Sequence, residues 1–198
     1  MEISAKIVME LRKKTGAGMM DCKKALKDAE GDFDKAADIL REKGMVAAQK
    51  RAGRETSNGY IAVYVHPGNK LATMVEVNCE TDFVARNEQF QEFAKNLAMH
   101  IAAANPLAIS EEELDQDVVA KEREIYKAQA LNEGKKAEFV DKIVDGRIKK
   151  FYKEACLLDQ IYIRDESKKS TIQDLLTDLI SVIGENIVIG RFSRFQIG

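Results

Sequence analysis

The 198-residue chain has no tryptophan, only two prolines, two histidines and three cysteines, and each shortage excludes something. With so little proline and only 12 glycines, long disordered linkers have no compositional basis and helix should dominate. Cys22, Cys79 and Cys156 lie far apart and form no C-x-x-C pair. Neither a disulfide framework nor a zinc site is supported, and the expectation is three reduced, largely buried thiols. His66 stands beside a turn, and His100 falls late in a helical run, where it reads as a helix-surface or interface residue. There is no nucleophile with its base, no H-E-x-x-H and no EF-hand ligand series, so no catalytic residue, metal ligand or cofactor site is assigned. The stretch Gly16 to Lys24 does not satisfy G-x-x-x-x-G-K-[ST] and follows no strand, so direct nucleotide binding by this chain is not expected.

An excess of charge of one sign is also missing: the net charge is -2 and the pI about 5.9. That argues against general affinity for a phosphate backbone and hence against a nucleic-acid partner. No window approaches ~18 uncharged apolar residues, and Met1 to Lys6 carries no apolar core followed by a cleavage site. A soluble, cytosolic protein with no membrane partner is expected. The length of 198 residues allows one ordinary domain plus a smaller one, and the hydrophobic fraction of 45% is that of a soluble globular protein.

Periodicity places the elements. Residues 1–43 read as three short helices: Ile3, Ile7, Val8 and Leu11 form one stripe, Met20 to Ala29 a second, and Phe33, Ala36, Ala37 and Leu40 a third. Asp32 caps the third, and Gly31 and Gly44 punctuate ends. Residues 44–58 read as a basic linker, and from Arg41 to Arg54 the chain carries five basic residues, Arg41, Lys43, Lys50, Arg51 and Arg54, against one acid, Glu42. No aromatic residue is interleaved there for base stacking. Residues 59–109 and 156–198 supply an α+β core. Gly59 to His66 and Lys70 to Asn78 form a β-hairpin around Pro67-Gly68-Asn69, and Ile187 to Phe195 adds a third strand. Helices over Glu88 to Ala104 and around Leu175 to Ile183 cover it. Residues 110–155 are an inserted antiparallel helical hairpin of coiled-coil character turning at 132–136. One helix seam is Val140, Val144, Ile148 and Phe151; the other is Leu114, Val118, Ile125, Ala128 and Leu131.

Two stretches stand out. Met19 and Met20 are adjacent on a helix of a small bundle, which turns one of them outward unless both fill the core. Thr81-Asp82-Phe83-Val84-Ala85-Arg86-Asn87 sets an acid and an aromatic side by side where an apolar strand gives way to a helix. One reading is a helix start, with Thr81 or Asp82 as the cap and Phe83 folded onto Phe90 or Val84 as a staple. The other is a probe, built to enter another molecule.

Leu11-Arg12, Thr15-Gly16-Ala17-Gly18-Met19-Met20-Asp21-Cys22-Lys23-Lys24-Ala25-Leu26 and Glu76-Val77-Asn78-Cys79-Glu80 running on through Asn87 resemble bacterial translation elongation factor Ts. So do Asp145-Gly146-Arg147 with Lys149-Lys150-Phe151, and Gly184-Glu185-Asn186-Ile187, all in the family's order. The resemblance implies a guanine-nucleotide exchange factor for the GTPase elongation factor Tu. It also implies a ubiquitin-associated-like N-terminal bundle that docks through Arg12, Met19, Met20 and Lys23. Thr81, Asp82, Phe83 and Val84 would enter the GTPase near its magnesium and phosphate sites, dislodging a metal bound to the partner. Two departures stand against longer members: Met9 occupies a position that can be basic, and only one three-stranded unit is present. A homodimer is the corresponding hypothesis. From another class, the alternative is an adaptor that binds ubiquitin-like or peptide partners through the bundle, which leaves Thr81 to Asn87 unexplained.

Overall fold

A computed structural model describes residues 3–198. It is an α+β structure with helices α1 (Ala5–Thr15), α2 (Met19–Asp28) and α3 (Phe33–Arg51), strands β1 (Asn58–Val65) and β2 (Leu71–Cys79), and a single helical turn α4 (Asp82–Ala85). Helices α5 (Glu88–Ala104), α6 (Gln116–Asn132), α7 (Ala137–Ala155) and α8 (Ile172–Ile183) follow, and strand β3 (Ile187–Gln196) closes the order. The antiparallel sheet has the order β1-β2-β3. The chain divides into two compact units, one of residues 1–63, 74–96 and 174–192, the other of residues 64–73, 97–173 and 193–198.

In the first unit, Ser4 caps α1 by accepting from the Ile7 N–H, and Gly16 ends it at φ +70°, a left-handed turn that an L side chain resists. Asp32 caps α3 by accepting from the Asp34 and Lys35 N–H groups. The bundle core is Val8, Leu11, Cys22, Ala25, Leu26, Ala29, Ala36 and Leu40. Gly44 does not end α3, as its residue type suggested. It is buried within the helix, and a Cβ there would lie 3.2 Å from the Ser181 Oγ of α8. This glycine serves close helix approach, and tertiary packing overrides its cost of about 1 kcal/mol in a helix interior. The segment expected as a basic linker is therefore helical as far as Arg51. Within it Arg51 Nε donates to the Gly184 carbonyl at 2.8 Å and Arg54 pairs with Glu80 at 3.4 Å, while just before it Arg41 pairs with Asp174 at 2.6 Å and Lys43 with Asp28 at 3.6 Å.

The sheet segments of this unit bury one face, through Ala62, Val75, Val77, Ile187 and Ile189. The other carries exposed Ile61, Val63, Met74 and Val188. Along β3 the alternation of buried and exposed residues ends at Gly190 and Arg191, both exposed. Arg191 there donates to Glu76 at 2.8 Å.

In the second unit, α6 and α7 pack on Leu114, Val119, Ala130, Val140, Val144 and Ile148. The α7 seam matches its periodicity, but the α6 stripe is displaced. Ile125, Ala128 and Leu131 are exposed, and Val119, Tyr126 and Ala130 face the seam instead. Tyr126 can turn its ring inward while its hydroxyl stays wet, so the amphipathic residue took the place expected of the aliphatic one. Arg147 fixes the hairpin by donating to both Glu133 oxygens, at 2.8 and 2.9 Å, and to Gln129. His100 is fully buried, contrary to its expected surface or interface place. Its Nδ1 accepts from the Ile163 N–H, which leaves Nε2 as the donor to Gln160 Oε1 at 2.9 Å. Burial lowers its pKa, with the Gln160 bond opposing. α5 is tied to the strands here by Thr73 Oγ1 donating to the Ala98 carbonyl and Arg194 Nε to that of Ala102.

Candidate functional site

The strand β2 ends at Cys79, and the chain must turn within two residues into α4. Sequence chemistry sets this up: Thr81 is in extended conformation (φ -125°, ψ 157°) and its hydroxyl accepts from the Val84 N–H at 3.4 Å. The Asn87 side chain then caps α5, accepting from the N–H groups of Gln89 and Phe90. Two caps six residues apart in sequence make α4 a separate turn, where periodicity alone had shown only a junction.

On that turn Phe83 is 81% exposed, while Phe90 is fully buried. Thr81 thus caps as expected, but the ring does not fold back as a staple. A solvent-facing phenyl group of this extent is unusual for a side chain that normally buries most of its surface. Asp82 is also exposed and pairs with Arg86 at 2.9 Å across one helical turn, so its carboxylate is oriented without being buried. Val84 is half-buried and anchors the turn.

Behind the turn, the Glu185 carboxylate accepts from the Glu80 N–H at 3.1 Å, the Thr81 N–H at 3.0 Å and the Thr81 hydroxyl at 2.7 Å. The Glu80 side chain accepts from the Asn186 N–H at 2.6 Å and pairs with Arg54, while the Glu80 carbonyl accepts from Asn58 Nδ2. Asn186 Nδ2 donates to the Arg54 carbonyl at 2.8 Å. The Cys79 thiol donates to the Thr81 carbonyl at 3.2 Å, and burial, with the nearby Glu185 charge, pushes its pKa up to about 11. That thiol is a packed group, not a nucleophile. Cys22 and Cys156 are likewise free and buried, as the sequence led one to expect.

The remaining candidates lie in the same compact unit as the turn. Met19 and Met20 are 42% and 75% exposed, so both face outward and neither is a core filler. Arg12 on α1 and Lys23 on α2 are exposed as well, as is Met9. What sequence reasoning missed was Glu185. Gly184-Glu185-Asn186 is among the stretches that carry the family resemblance, but nothing local in it points to the turn about a hundred residues earlier in the chain. Among the described residues no group of three or more His, Cys, Asp or Glu could hold a metal ion, and no helix is long and apolar enough to cross a membrane.

These features first define a class: an α+β protein that presents an exposed aromatic ring on a densely hydrogen-bonded turn, beside a small helical bundle with exposed methionines. Comparison then supplies the family. The family described as Elongation factor TS matches residues 5–170. Elongation factor Ts of Caldanaerobacter subterraneus subsp. tengcongensis is 59% identical over 99% of this chain and 97% of its own length. Those of Nitratidesulfovibrio vulgaris and Solidesulfovibrio magneticus are 59% and 61% identical, over 98% and 97% of their lengths. The chain belongs to the elongation factor Ts family and is a translation elongation factor.

Proposed function

We propose that this chain is a guanine-nucleotide exchange factor for elongation factor Tu, acting in the cytoplasm, and that it promotes GDP release by inserting the Asp82–Phe83 turn near the GTPase's magnesium and phosphate sites. The observation that carries this reading is the 81% exposure of Phe83 on a turn flanked by bonded backbone, the Thr81 N–H given to Glu185 and the Val84 N–H to the Thr81 hydroxyl. A ring that is already exposed loses nothing internal on entering a partner. Its burial there contributes on the order of 1.5 to 3 kcal/mol. Asp82, held by Arg86, brings a carboxylate beside the ring, a ligand type that competes with the partner's own groups for its metal. The factor itself binds neither metal nor nucleotide in this reading.

Exchange follows from linkage: a factor that weakens GDP binding must itself bind the nucleotide-free GTPase more tightly by the same ratio. About 4 kcal/mol of coupling corresponds to a thousandfold. That energy needs a second contact. Residues 1–43 supply it as the docking domain, through Arg12, Met19, Met20 and Lys23, while the core of residues 59–109 and 156–198 carries the turn. Residues 110–155 form the projecting hairpin, and residues 44–58 connect bundle to core. The exposed sheet face with Ile61, Val63, Met74 and Val188 supports pairing with a second copy of this chain, since such a patch is where a protein surface associates.

The test is stimulated release of labelled GDP from elongation factor Tu by the wild-type chain and by Phe83→Ala. Wild type should accelerate release, and Phe83→Ala should lose at least about tenfold of that acceleration, the equivalent of ~1.4 kcal/mol. Equal acceleration by the two proteins refutes the ring's role. No acceleration by either refutes exchange activity altogether.

A further inference from the structure

We propose that Glu185 is the positioning residue of the exchange turn: its carboxylate sets the backbone from which Asp82 and Phe83 project, and so decides whether the ring arrives where it acts. The inference rests on the preceding reading of Phe83.

The geometry is specific. One oxygen, Oε2, receives two consecutive backbone N–H groups, those of Glu80 and Thr81, at 3.1 and 3.0 Å, and the other, Oε1, receives the Thr81 hydroxyl at 2.7 Å. Two successive N–H groups aimed at one oxygen fix the peptide plane between them, and the ionised acceptor makes these bonds stronger than neutral ones. The hydroxyl bond orients Thr81 Oγ1 so that its lone pair meets the Val84 N–H. The carboxylate therefore reaches both ends of the short turn, just before Asp82 and just after Phe83, while touching neither side chain.

Glu185 is itself held from behind. Gly184 sits at φ +85°, and its carbonyl accepts from Arg51 Nε at the end of α3; Asn186 bonds Glu80 and the Arg54 carbonyl. A carboxylate anchored on both flanks serves as a fixed post rather than a mobile surface charge. Holding a reacting or probing group to within a fraction of an ångström is worth large factors, since a misplacement of about 1 Å can cost roughly a hundredfold.

Positioning and charge make opposite predictions for two variants. Glu185→Gln loses the charge and keeps the shape: its Oε1 can accept both N–H groups while its Nε2 donates to Thr81 Oγ1. Glu185→Asp keeps the charge and withdraws the carboxylate by one methylene, out of reach of at least one partner. Stimulated GDP release from elongation factor Tu is measured against factor concentration for wild type, both variants, Glu185→Ala, Phe83→Ala and the Glu185→Ala/Phe83→Ala double variant.

The expected result is that Glu185→Gln keeps its maximal stimulated rate within about threefold of wild type. Glu185→Asp and Glu185→Ala should lose roughly tenfold or more in maximal rate, with the half-saturating concentration shifted less than about threefold. The double variant should lose less than the product of the two single losses, because both changes act on the same turn. An Asp variant that outperforms the Gln variant assigns the effect to charge and overturns the inference. So does full activity of Glu185→Asp and Glu185→Ala alongside a defective Phe83→Ala. If Phe83→Ala is fully active, it is the ring's role that falls. Should Glu185→Ala fail to fold, the Gln and Asp comparison decides alone.

Discussion

Adding one methyl group to the start of β1 provides a sharp test of how closely the two strands behind the turn are packed. A Cβ on Gly59 would lie 2.5 Å from the Val77 carbonyl oxygen, 2.8 Å from Asn78 Oδ1 and 3.0 Å from Asn78 Cα. Ordinary contact begins near 3.4 Å, so Gly59→Ala requires a displacement of about 0.9 Å, the difference between those two separations. The obstruction is backbone of the central strand, which cannot swing aside as a side chain would. The neighbouring bond from Asn58 Nδ2 to the Glu80 carbonyl, now 3.0 Å, would then stretch beyond hydrogen-bonding range. Overpacking costs roughly 1 to 3 kcal/mol and the lost bond roughly 0.5 to 1.5. The reduced entropy of the unfolded Ala chain returns roughly 0.4 to 1. The net is about 2 kcal/mol of destabilisation, which at roughly 2 to 4 °C per kcal/mol for a chain of this size lowers Tm by about 4 to 8 °C. Gly146→Ala is the matched control: a Cβ there meets nothing within 4 Å and sits inside α7, so Tm should rise by roughly 2 to 4 °C from helix propensity alone. Scanning calorimetry on the three proteins reads both effects. A Gly59→Ala midpoint within about 1 °C of wild type would refute the packing argument.

Other expectations concern groups away from the strands. His100, with its pKa lowered by burial, stays neutral in the fold while the unfolded chain takes up its proton near pH ~6.5. Its contribution to stability is therefore full above that pH and is lost as pH falls toward the folded pKa. Imidazole NMR should show the neutral Nε2–H tautomer at pH ~6.5, and a half-protonated ring there would contradict it. Met20→Glu, at a position 75% exposed, should leave stability within about 0.5 kcal/mol. It should raise the half-saturating concentration for elongation factor Tu by roughly tenfold, as loss of ~1.4 kcal/mol of docking requires; an unchanged value removes Met20 from the docking surface. The buried Cys79 and Cys156 thiols, both held up to about 11, should resist alkylation at pH ~8 in the native protein and react in denaturant. Rapid native labelling of either would show that the packing around it is open.

Much of the fold was legible because its elements are locally encoded. The 3.6-residue stripe of α5, the Pro67-Gly68-Asn69 turn and the Asp32 cap each follow from interactions within a few residues, and each appears where its signal lies. The Thr81–Val84 turn was legible for the same reason, since a capping hydroxyl acts three residues along the chain. Where the reading slipped, the deciding partner was distant in sequence. Gly44 continues a helix because Ser181 needs the space. His100 is buried because Gln160 and Ile163 satisfy both ring nitrogens. The α6 seam moved by a residue because Tyr126, not Ile125, is packed against the hairpin core.

The sequence by itself determined most of the element types and the presence of an acid and an aromatic side by side at the strand-to-helix junction, because helix caps, periodicity and turn residues are short-range chemistry. Only the tertiary structure decided that Phe83 faces solvent instead of Phe90, and that the turn carrying it hangs on a carboxylate about a hundred residues away. Burial and long-range hydrogen bonds are properties of chain segments brought together, and no local pattern records which distant residue will close them.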